Sequence, residues 1–160
     1  MSRAGLPPRA PSGGAPPEVA VLPDGQRVEL AGPAREIAHR HRTEYPDEAQ
    51  LRGAPFDLIA PAREICRRYR VEFPDEDGRY GDAGMAWCVH DNRHILNWAA
   101  MDVEYGLGIE RQLEWLADVL RNRDFPIERL VRDLEIAAEV VEDAAVAERL
   151  RAGAEFVRGL

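Results

Sequence analysis

The chain has 160 residues, 45% of them hydrophobic and 31% charged, which suits one domain around one packed core. Its 29 acidic residues against 21 basic ones give a formal charge of −8. That balance speaks against nucleic acid and against an anionic membrane surface as partners, since both are held by excess positive charge.

Every basic residue is arginine, a bias that fits a GC-rich bacterial genome. Two cysteines, Cys66 and Cys88, are too few for a disulfide scaffold and do not form a zinc pattern, so they are expected to fill the core as thiols. The first residues lack the apolar stretch of a signal peptide, and no run approaches the ~18 apolar residues of a membrane span. A cytoplasmic protein is expected.

Residues 1–27 hold six of the twelve prolines and show no periodicity, which predicts a disordered tail. A tandem repeat follows. VELAGPAREIAHRHRTEYPDEA over 28–49 returns as FDLIAPAREICRRYRVEFPDED over 56–77, with 11 of 17 positions identical from Pro33 and Pro61 onward. Each copy reads as one helix and its exit turn: the proline suits the first helical turn, and Pro74 ends the second copy after Phe73. Leu58, Ala62, Ile65, Tyr69 and Phe73 give the second copy one apolar face. In the first copy His41 stands where the second has Tyr69, which makes it the poorer core helix. Residues 28–55 are therefore taken as the first copy of the unit and 56–160 as the compact core. The near identity of the copies also suggests that they could exchange in one groove.

Arg67, Arg68 and Arg70 lie close to acidic residues and read as solvated surface. The acidic stretch Asp75-Glu76-Asp77 lacks the first and twelfth ligands of a calcium loop and reads as a solvated turn. From Asp82 onward everything is helical. Asp82 is expected to cap a long helix that Gly106 ends, and Ile109, Leu113, Leu116 and Leu120 mark the next. Ile127, Leu130, Val131, Leu134, Ala138 and Val141 mark another, and Val146, Leu150, Val157 and Leu160 the last. No segment alternates, so no sheet is expected. The fold class is all-α: a small bundle of five to six helices with a disordered N-terminal tail.

The helix after Asp82 has two apolar sides. At about 100° per residue, Met85, Val89, Leu96, Ala99, Ala100 and Val103 gather on one, flanked by Cys88 and Ile95. Trp87, His94, Trp98, Met101 and Tyr105 gather on the other with His90 at its margin, and Asp91 and Asp102 mark a polar strip between the two. Tryptophan, histidine, methionine and tyrosine supply contact area while keeping a hydrogen-bonding handle. The second side is thus a candidate binding face: Trp87, His90, His94, Trp98, Met101 and Tyr105. Three alternatives stand for it: ordinary core, an interface with a protein partner or a second copy of the chain, or a pocket.

His90 and His94 sit one turn apart and could lean toward one metal ion or a haem, but HDNRH lacks the glutamate of a metalloprotease motif. Glu36, His39 and His41 could add ligands, although a four-ligand site is not evident. No cofactor is expected beyond that candidate. No catalytic residue can be named, because phosphate-binding loops and nucleophile–base patterns are missing. The expected function is a non-catalytic helical binding or regulatory module that associates with a protein or with itself. The alternatives are a sensor or carrier holding a small ligand, metal or haem near His90 and His94, and an enzyme of unknown class.

Overall fold

The computed structural model describes residues 47–160 throughout, and the backbone of residues 18–21 and 27–30. Strands β1 (Glu18–Val21) and β2 (Arg27–Leu30) pair antiparallel, with Glu18 opposite Leu30. The rest of the expected tail, and the expected first-copy helix from Pro33, lie outside the described residues.

A second hairpin joins β3 (Glu48–Leu51) to β4 (Ala54–Asp57), with Glu48 opposite Asp57. The expectation of no sheet is corrected by these two hairpins. Their strands are four residues long, and β3 carries a single alternation that buries Ala49 and Leu51, too short a signal to stand out. Its turn puts both Arg52 (φ 51°) and Gly53 (φ 79°) in the left-handed region, as two-residue hairpin loops require. Arginine resists that conformation, and tertiary contacts hold it there. The Arg52 amide donates to Glu104 Oε1 at 2.8 Å, and its guanidinium pairs with Asp143.

Five helices follow among the described residues, and the all-α bundle is the observed class. Helix α1 (Ile59–Glu72) starts where the Asp57 carboxylate accepts the Ile59 amide at 3.0 Å. Leu58, Ala62, Ile65 and Tyr69 are buried as their spacing predicts, with Cys66 beside them. Helix α2 spans Asp75–Tyr105 but breaks at Gly81 (φ 61°, ψ −151°), so the long segment does begin at Asp82. Gly106, at φ 66°, ends it and donates to Asp102 O at 2.8 Å.

Helices α3 (Glu110–Arg121), α4 (Ile127–Val140) and α5 (Ala144–Arg158) complete the bundle. Asp143 caps α5 by accepting the Ala145 and Val146 amides, each at 3.1 Å. The stripes expected for α3 and α4 are buried, Ile127 only partly, whereas Leu160 at the end of the chain is exposed. Helix α4 packs on α5 and on α1, while α2 packs on α1, α5 and the β3–β4 hairpin. The core thus reaches N-terminal to residue 56, through Ala49 and Leu51. Where α5 crosses α3, a Cβ on Gly153 would lie 2.7 Å from Leu113 Cδ1, so glycine lets the helices approach without displacing that side chain. No described helix is long and apolar enough to cross a membrane.

Two surface readings are corrected. Asp75-Glu76-Asp77 is the first turn of α2, and Glu76 is only 4% exposed. Arg70 is buried too and pairs with Asp77. Both follow from partners that come from other elements. Tyr69 donates its hydroxyl to Glu76, while Arg129 of α4 reaches Glu76 at 2.9 Å and Asp75 at 3.0 Å. Arg67 and Arg68 do lie at the surface, both paired with Glu64.

Candidate functional site

Residues three and four apart share a helix face, and on α2 Tyr80, Gly84, Trp87, Asp91 and Ile95 follow that spacing. Of these, the sequence marks only Asp91 as part of a polar divider, and together they form one wall of a cavity of about 500 Å³. Leu116 and Leu120 of α3 and the turn at Arg123 and Phe125 build the facing wall. Arg129, Leu130 and Asp133 of α4, with Tyr69 of α1, close it from below. Small-ligand sites commonly have this size and this mixture of apolar lining with a few polar groups.

The mouth is aromatic and basic. The Tyr80 and Phe125 rings lie 6.3 Å apart, and the Arg79 guanidinium stands 5.8 Å from the Tyr80 ring. Arg123 lies over the Trp87 ring, and burial lowers its pKa to about 10.

The floor is a polar network inside the bundle. Asn92 Nδ2 donates to Asp133 Oδ1 at 3.1 Å and to Cys88 O at 3.0 Å. The Cys66 and Cys88 sulfurs each lie 3.6 Å from the same nitrogen. Burial pushes the Cys66 thiol up; Cys88 is pushed up by its hydrogen bond with Cys66 and then by burial, so both stay protonated. Asp133 is raised from 3.8 to about 7, mainly by burial, although the Asn92 hydrogen bond works the other way. Burial, with the hydrogen bond to Glu76, pushes the Tyr69 hydroxyl up as well.

The six expected binding residues do not form one site. Trp87 lines the cavity. His90, His94 and Trp98 instead make a run of rings along α2, with centroids 4.5 and 5.4 Å apart, ending edge-on at Trp115 of α3, 6.4 Å from Trp98. All three are half-buried, and Trp98 packs on the core. Met101 Sδ accepts from Asn97 at 3.5 Å, and Tyr105 stands 64% exposed at the far end of the helix.

The two imidazoles meet through their Nε2 atoms at 3.1 Å, and His90 Nδ1 faces Asp91 Oδ1 at 3.0 Å. They supply two donors. Among the described residues no group of three or more metal-ligating side chains forms, while Glu36, His39 and His41 lie outside them.

The floor residues are not among those expected from the sequence. Asp133 falls beside the α4 stripe, and one signal was present: buried Ile136 widens the apolar arc past it. Asn92 falls inside the side of the helical wheel marked by Met85, Val89 and Leu96, so its burial was legible, whereas Glu76 gives no signal because Tyr69 and Arg129 reach it from other helices. No protein-family model, no curated protein and no solved structure matches this chain.

Proposed function

We propose that the chain is a small-ligand binding module of the sensor or carrier kind, and that the cavity between α1, α2, α3 and α4 is its site. One observation carries this reading. A 500 Å³ cavity with aromatic walls ends on a buried polar floor, where the Asp133 carboxyl is held near neutrality. A perturbed carboxyl in a concave, largely apolar site is the usual mark of a functional pocket. The location favours signalling: the cavity touches four helices and the residues Tyr80 and Ala83 on either side of the Gly81 break, so an occupant would bear on how they pack.

A binding role is favoured over nucleophilic catalysis because the two thiols are held in their unreactive form. Association through the Trp98 face has less support, since Trp98 is packed on Trp115 and the core.

The test is a thermal-shift screen of the full chain with neutral, cationic and anionic single-ring aromatics. Ligands of the cavity should raise the melting temperature of the wild type but not of Ala83→Phe, which places a ring in the cavity. The reading fails if no compound stabilises the wild type, or if the filled variant responds equally.

A further inference from the structure

Asn92 is 2% exposed and lines the cavity, yet its Oδ1 has no hydrogen-bond partner. The amide is not free to turn over, because its nitrogen is engaged by Cys88 O and Asp133 Oδ1. A buried acceptor left without a donor is costly, so it marks where a donor belongs. Beside it, Asp133 is held by that same amide, and among the described residues no guanidinium pairs with it.

The other charged groups around the cavity are engaged elsewhere. Glu76 receives Tyr69 and Arg129, and Arg129 also holds Asp75. Arg70, which does not line the cavity, pairs with Asp77 through Nη1 while its buried Nε and Nη2 have no hydrogen-bond partner. Arg123 lies over Trp87 with Asp91 as a nearby charge, Asp91 also faces His90, and Arg79 reaches over Tyr80 at the solvent edge. Cys66 and Cys88 stay uncharged. The floor therefore offers acceptors, and the walls offer flat aromatic surface, with the Arg123 and Arg79 guanidiniums standing over the Trp87 and Tyr80 rings at the mouth.

We infer that the cavity takes a flat aromatic cation, such as an arylamidine, with its ring among Tyr80, Trp87 and Phe125 and its N–H groups on Asn92 Oδ1 and the Asp133 carboxylate. The inference rests on the small-ligand reading above and specifies its ligand class. An amidinium presents parallel N–H donors that match a carboxylate, and the pairing offsets the desolvation of both charges. Binding then draws the proton off Asp133, so affinity depends on pH.

The experiment is an NMR titration of the isotope-labelled full chain with benzamidine, benzamide and benzoate at pH 6 and pH 8. The three probes share one ring and differ in charge. With Asp133 at about 7, its ionised fraction grows about tenfold over this range. Benzamidine should bind best of the three, shift the Trp87, Asn92 and Asp133 resonances, and tighten up to about tenfold at pH 8. Because His90 also stands near Asp91, Asp133→Asn assigns the effect: its benzamidine affinity should be flat with pH. If that variant does not fold, the wild-type ranking and pH profile decide alone. Benzoate or benzamide binding as well as benzamidine, tightening toward pH 6, or a pH dependence that survives in Asp133→Asn overturns the cation while leaving a ligand pocket. Cavity resonances that respond to none of the three overturn both.

Discussion

Asn92 of α2 donates to Asp133 of α4 across 3.1 Å, and this bond joins two helices at the base of the cavity. It spans 41 residues of sequence and ties a group that cannot ionise to one that can. Burial outweighs the bond, so the Asp133 carboxyl stays near 7 rather than near 3.8.

That shift has a defined sign. The native state keeps a proton that the unfolded chain releases between about pH 4 and 7. The stability contributed by this group therefore falls as pH rises through that window, by on the order of 1 kcal/mol per unit, and is level above it. The stability of Asp133→Asn relative to the wild type should rise by about 2–3 kcal/mol between pH 5 and pH 8. Urea denaturation at both values checks this. An equal pH slope in the two proteins would show that Asp133 is not the group.

Trp98 meets Trp115 edge-on, with ring planes at 83°. Truncation of the half-buried ring in Trp98→Ala should cost about 2–3 kcal/mol, below the range for a fully buried tryptophan. A double-mutant cycle with Trp115→Ala should return a coupling of about 0.5–1.5 kcal/mol. Unchanged stability with weakened association in sedimentation would assign the face to an interface instead.

The β3–β4 hairpin belongs to the core. Ala49 and Leu51 are buried, Asp47 O accepts the Leu58 amide at 3.0 Å, and Arg52 reaches Glu104 and Asp143. A fragment of residues 56–160 should be less stable than one of 47–160 by about 2–4 kcal/mol, most of it from Leu51. Coincident thermal transitions for the two fragments would count against this.

Gly153 sits in the interior of α5, where alanine is ordinarily better by about 1 kcal/mol. Here the new methyl would meet Leu113, which is fully buried and hemmed in. Overpacking of about 1–3 kcal/mol should win, so Gly153→Ala is expected to destabilise. In a Leu113→Ala background the sign should reverse, because the space is open. Destabilisation in both backgrounds would place the cost elsewhere.

How much could be read in the sequence depends on the range of the physics involved. The α1, α3, α4 and α5 stripes repeat every three to four residues, and Pro61, Pro74 and Gly106 act on backbone within a few positions of themselves. Trp87 was found because large aromatics on a helix stand out wherever they point. The four-residue strands were not, because one buried alternation cannot be told from chance. The candidate face was split for a related reason: a helical wheel gives each residue a direction but not the neighbour waiting there.

The all-α class and most of the buried stripes were legible in the sequence, since periodicity and local backbone preference suffice for these, whereas the helical turn at residues 75–80 was not. Packing between helices decided which strip of α2 opens onto a cavity, that Glu76 goes inside, and that Asn92 and Asp133 meet there. Burial of a polar group depends on what distant helices bring against it: Tyr69 and Arg129 meet Glu76, and Asp133 meets Asn92. Those contacts, and the raised pKa of Asp133 that follows from its surroundings, exist only once the helices have packed.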